Sequence, residues 1–143
     1  MKSKITAYLP SALFFTFIVW MITQADTNQK NFIMDIGHSV PFGDKIGHFT
    51  LFGIMALLLN MALRFNRVRV FSRSFHLGSI IVLVFAIGEE FSQLAFSNRT
   101  FDFVDMLFDL LGIGILSSIG FRRYLIEKFR AFIDYLAGRL LVE

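Results

Sequence analysis

Between Glu89 and Asp109 the chain places five carboxylates, a Gln and an Arg, EEFSQLAFSNRTFDFVDMLFD, within sequence otherwise apolar enough for a membrane. Grouped carboxylates can hold a divalent cation or serve as acid and base, and the planar fork of an Arg can hold a carboxylate or a phosphate. Asp44, Lys45 and His48 stand upstream at spacings i, i+3 and i, i+4, so the three can line one side of a helix entrance. An N-cap role explains Asp44, and snorkelling explains Lys45. Neither explains His48, which lies past the cap in an apolar helix and should face protein or water rather than lipid.

Helices must bring these residues together. Leu77–Gly88 and Leu110–Ile119 carry no charge, so each reads as the apolar body of a helix whose polar end lies in the Glu89–Asp109 stretch. Glu90 and Gln93 then close the first helix, Asp105 and Asp109 open the second, and Ser97–Phe103 connects them, with Arg99 and Asp102 in the connection. Asp105 and Asp109 are one turn apart, and Gly112 continues their stripe with a small residue suited to close helix packing. Counted back from Phe96, Glu90 falls about 9 Å inside its helix. Such a depth is costly for an ionised group that is not paired, metal-bound or protonated.

Composition sets the class. With 143 residues, 55% hydrophobic content, 19 Phe and 17% charged residues, the chain is too apolar for a soluble domain, where about 25% of residues are charged. Ile5–Thr23, Ile46–Leu63, Leu77–Phe96 and Val104–Phe121 each suit a hydrocarbon core about 30 Å thick. The expected fold is therefore an all-α membrane protein, a single domain of four transmembrane helices over residues 1–143, with an amphipathic interfacial helix at the C-terminus. A β-barrel does not fit, because the apolar runs lack period-two alternation. The absence of Cys excludes disulfides, thiol nucleophiles and thiolate metal sites.

Met1–Thr23 begins with two lysines and could be a signal peptide cut after Ala25, but its apolar run is long for one and Trp20 suits the far interface of a retained helix. Gln24–Gly43, with Asn28, Asn31, Gly37 and Pro41, reads as a polar loop over the bundle, and His38 as an exposed loop residue. Arg64–His76 holds four Arg and no acid, the pattern of a short cytoplasmic loop; topology alone accounts for these charges, and nucleic-acid binding is not expected. In residues 122–143, Leu125, Phe129, Phe132, Ile133 and Leu136 recur at helical intervals among Arg and Lys, which fits a cytoplasmic helix lying on the inner leaflet or, alternatively, binding a partner.

Sorted by side, eleven of 14 basic residues, Lys2, Lys4 and Arg139 among them, fall inside, and eight of 11 acidic ones outside. Both termini are thus expected in the cytoplasm of a multi-pass bacterial inner-membrane protein, with the carboxylates facing outward.

Four short pieces, DKIGHF at Asp44–Phe49, GEEFSQ at Gly88–Gln93, NRTFDFVD at Asn98–Asp105 and the helix containing Gly112, resemble the VanZ-like family of small bacterial membrane proteins in order, spacing and placement over roughly residues 40–120. The resemblance points to Asp44, Lys45, His48, Glu90, Gln93, Arg99, Asp102 and Asp105. Asp109 departs from it, since the family tends to carry Asn there. What the resemblance implies is a role in cell-envelope processes or teicoplanin-type glycopeptide resistance, without a settled chemistry.

Three readings of the outer cluster follow. It is a structural network in which Arg99, Lys45 and His48 neutralise Glu90, Asp102, Asp105 and Asp109 and which supports an unidentified protein partner. It is a catalytic site for a phosphorylated lipid, with His48, Glu90 and Asp105 as candidate acid, base or ligands to a divalent cation. Or it is a recognition site for a lipid headgroup, cell-wall precursor or glycopeptide, adding Gln93 and Asp109 to the binding set. Ser92 and Ser97 lie nearby without the context of a nucleophile.

Overall fold

The computed structural model describes residues 4–29 and 31–140, with side chains for all of these except 4, 5, 38 and 135–140. Lys2 and the side chains of Lys4, His38, Leu136 and Arg139 therefore lie outside the described residues. The elements run α1 (Lys4–Asp26), α2 (Phe32–Ser39), α3 (Gly43–Ala62), β1 (Arg67–Val70), β2 (Arg73–His76), α4 (Leu77–Ser92) and α5 (Phe103–Leu140). Helices over Thr6–Asp26, Gly43–Ala62, Leu77–Ala95 and Phe103–Asp134 are long and apolar enough to cross a membrane. These are the four expected spans, and the protein is a multi-pass membrane protein.

The central helix is α3, against which α1, α4 and α5 all pack. The core is built around it from Ile18 of α1, Phe52, Met55 and Ala56 of α3, Val82 and Ala86 of α4 and Ile113 of α5. Its tightest contact is with α5. A Cβ on Gly112 would run into the backbone carbonyl of Phe49, and Gly53 faces Gly112 in turn, so the two backbones touch through small residues. This approach holds Lys45 and His48 of α3 beside Asp105 and Asp109 of α5.

Three local expectations change. The Gln24–Gly43 stretch is not all loop: Gln24–Asp26 finish α1, and α2 forms because Asn31 caps it, accepting the Met34 N–H at 3.0 Å. Asp44 is not the N-cap of α3. Phe42, in a left-handed conformation at φ 58°, takes that position, and Asp44 lies in the first turn. Finally, Arg64–His76 contains a hairpin pairing Val68 with Phe75 and Arg69 with Ser74, which the alternating Arg67-Val68-Arg69-Val70 favours. Phe71 makes its turn at φ 54°.

The C-terminal segment is helical, and no break separates it from the fourth span, for α5 runs 38 residues without interruption. Phe65, His76 and Phe121 pack together in edge-on and tilted ring contacts where the hairpin meets α5. The arginine-rich hairpin and the start of the tail therefore share one end of the bundle. The carboxylates occupy the other.

Candidate functional site

The N-terminal turns of α3 and α5 and the C-terminal turn of α4 converge at the acidic end. Lys45 Nζ lies 3.0 Å from Asp44 Oδ2, 2.9 Å from Asp102 Oδ2 and 3.0 Å from Asp105 Oδ1, so one ammonium ties α3 to the entrance of α5. Asp102 also caps α5, its Oδ1 accepting the Val104 N–H at 2.8 Å. The bond from Lys45, together with that cap, holds the Asp102 carboxyl below the usual carboxylate range.

His48 points the other way, into the bundle. Its Nδ1 is 3.1 Å from Asp109 Oδ1, and its ring stacks on Phe52. Asp109 is 1% exposed, and its second oxygen has no hydrogen-bond partner. Glu90 is 0% exposed, yet only two residues from the end of α4. Its burial comes from cover rather than from the expected depth: the helix gives way to a 3-10 turn at Gln93–Ala95, and the connection folds over the carboxylate. There the Asp102 N–H donates to Glu90 Oε1 at 2.6 Å, and Gln93 Nε2 donates to Oε2 at 3.2 Å.

Arg99 does not pair with Glu90. It lies 3.3 Å from Glu89 Oε1 and 3.6 Å from Asp26 Oδ1, and Asn98 donates to the Ala25 carbonyl at 2.8 Å. The connection is thereby fastened to the end of α1, which the sequence placed in a loop. Glu89 also accepts from Gln93 at 3.1 Å.

Among the described residues, seven carboxylates, Asp26, Asp44, Glu89, Glu90, Asp102, Asp105 and Asp109, thus gather at this end beside two permanent cations, Lys45 and Arg99, each paired with more than one carboxylate and neither with Glu90 or Asp109. Single donor atoms of His48, Glu89 and Glu90 lie within 4.8 Å of one another, a set with the chemistry to hold a metal ion. Beside them, α1 and α4 do not close. A cleft of about 320 Å³ separates them, with Val19, Ile22, Phe85 and Gly88 as its apolar part and Thr23, Glu89 and Ser92 as its polar part.

All nine residues singled out in the sequence lie at this end: Asp44, Lys45, His48, Glu90, Gln93, Arg99, Asp102, Asp105 and Asp109. Ser92 lines the cleft, its hydroxyl donating to the Glu89 carbonyl at 2.6 Å. Sequence reasoning underrated Glu89, whose i, i+4 spacing to Gln93 was the available signal, and misplaced Asp26, whose partner arrives only through the folded connection.

A family model described as VanZ/LLP1 matches residues 2–123. The chain is similar to the uncharacterized protein C11E3.10 of Schizosaccharomyces pombe, with 32% identity over 94 residues covering 64% of this chain and 56% of that protein. It thus spans little more than half the length of that curated relative. No solved structure matches.

Proposed function

The chain belongs to the VanZ/LLP1 family, and on that premise we propose that it binds an amphiphile of the outer leaflet, a lipid or lipid-linked cell-wall precursor, with the polar head at the carboxylate rim. The observation that carries this reading is the cleft between α1 and α4. Its apolar walls stand in two membrane spans and its polar end contains Glu89, so it offers an acyl chain and a head different surroundings in the order a leaflet presents them. The role is in the cell envelope, and glycopeptide resistance of the teicoplanin type follows where the bound head is the antibiotic or its target. In this reading the arginine hairpin and both termini lie in the cytoplasm of a bacterial inner membrane, and the exposed Leu125, Phe129 and Phe132 are carried on the uninterrupted α5 at that side.

A second reading, an enzyme acting on a phosphorylated lipid, draws on the His48–Asp109 pair, in which a buried carboxylate orients an imidazole as it does for a general base. Turnover separates the two.

Gly88 supplies the test, because a Cβ there meets nothing within 4 Å. Gly88→Leu should fill the cleft without a clash and, by helix propensity, without loss of stability. Purified wild-type protein is expected to retain a lipid in native mass spectra, and Gly88→Leu to lose it at an unchanged melting temperature. Equal lipid retention in both proteins would overturn the reading.

A further inference from the structure

We propose that His48, Glu89 and Glu90 form a binding site for one divalent cation of the zinc or manganese class, an inference resting on the reading of this rim as a headgroup site. Three observations carry it. First, the donor atoms are already grouped within 4.8 Å. Bond lengths of about 2.0–2.2 Å place ligand atoms about 3–4 Å apart, so closure needs only side-chain movement. Second, no Lys or Arg among the described residues lies within salt-bridge distance of Glu90, although it is fully buried. A divalent cation would neutralise Glu89 and Glu90 together, which suits carboxylates at the ends of membrane spans.

The third observation is Asp109. Its carboxylate meets the cluster at His48, with Oδ1 3.1 Å from His48 Nδ1 and Oδ2 buried without a partner. A carboxylate on one ring nitrogen fixes the tautomer and leaves the other nitrogen, Nε2, as the donor to a metal. One imidazole and two carboxylates, with no thiolate, select zinc or manganese over soft ions.

The cation also resolves a conflict in the headgroup reading. Lys45 and Arg99 are shared among carboxylates, so a phosphate would approach a strongly negative rim. A metal bound by three side chains keeps coordination positions open, and Glu89 sets it at the polar end of the cleft. The head it would accept is a phosphate.

The experiment uses full-length protein in nanodiscs, stripped with EDTA and titrated with Zn²⁺ and with Mn²⁺. One ion per chain is expected. Glu90→Gln and His48→Gln should each weaken binding at least about 100-fold, Asp109→Asn about tenfold, and Glu127→Gln in the tail not at all. No binding by the wild type, or equal binding by the Glu90 and His48 variants, overturns the site. Should those variants not fold, Mn²⁺ on the wild type decides by its spin-echo spectrum: nitrogen coupling from an imidazole supports the site, and its absence ends it. Native mass spectra with and without EDTA separate this inference from the lipid reading. Retained lipid without metal binding sinks the cation alone, and metal binding without lipid in either condition sinks the headgroup reading.

Discussion

At the arginine-rich end of the bundle, Asn60 Nδ2 donates to Ser79 Oγ at 2.8 Å and Ser117 Oγ at 3.0 Å, while Asn60 Oδ1 accepts the Ser79 N–H at 3.2 Å. At the acidic end, three helices meet through Glu89, Glu90, His48, Asp105 and Asp109. Both are polar clusters joining α3, α4 and α5. The first contains only neutral groups, and they satisfy one another. In the second, charges of one sign accumulate and a buried oxygen of Asp109 goes without a partner. Stability explains the first cluster fully, since hydrogen bonds between helices hold a bundle together in lipid. The excess charge of the second opposes folding unless it is neutralised, which is the part the proposed ligand would play.

The largest effect should come from the contact that serves both ends. Gly112→Leu would press a side chain into the Phe49 carbonyl, and with backbone on the facing side the helices must separate. We expect a loss of about 3 kcal/mol or more, read as low membrane abundance and a depressed melting temperature. Both clusters should fail together. A folded variant lacking only ligand would show instead that the acidic end is assembled independently of this contact.

Next in size is a contrast between the two clusters. Asn60→Ala should cost about 1–2 kcal/mol and reduce lipid retention only in proportion to folded protein. Glu90→Gln, His48→Gln and Asp105→Asn should do the opposite, losing ligand while the folded protein remains. Melting temperature and lipid retention measured on each variant decide the matter. If all three retain the ligand, or lose it only with the fold, the acidic end is another structural network and the comparison collapses.

How legible each end was in the sequence follows from the same difference. Charges interrupting apolar helices are visible without a structure, so Asp44, Lys45, His48 and Glu90 stood out by their cost in a membrane. Partner choice was not visible. Arg99 could be assigned to Glu90 by proximity in sequence, but the connection folds back over α4 and delivers it to Glu89 and Asp26. Asn60 is one neutral amide in the apolar run LLLNMA, a weaker signal than a charge, and its partners lie 19 and 57 residues away. The hairpin was obscured by its arginines, which topology explains equally well as loop.

The smallest effect concerns pH and strikes the two ends in different ranges. At the arginine-rich end His76 packs edge-on to Phe65 and tilted against Phe121, and burial, with Arg67 adding repulsion, holds its pKa below the ordinary 6.5. A folded-state value below the unfolded one means that the unfolded chain takes up the proton first. The contribution of His76 to stability is therefore intact above pH 6.5 and is lost as pH falls through the lowered folded value. Asp102 obeys the same sign lower down: Lys45 depresses its carboxyl, so its contribution is intact above the ordinary 3.8 and is lost only below that. Melting temperatures followed from pH 8 to pH 5 should then fall more steeply in the wild type than in His76→Gln, whose side chain cannot take up that proton, while Asp102→Asn should track the wild type over the same range. Parallel curves for wild type and His76→Gln would mean that the imidazole is as easily protonated folded as unfolded, and that the aromatic end of the bundle does not exclude charge.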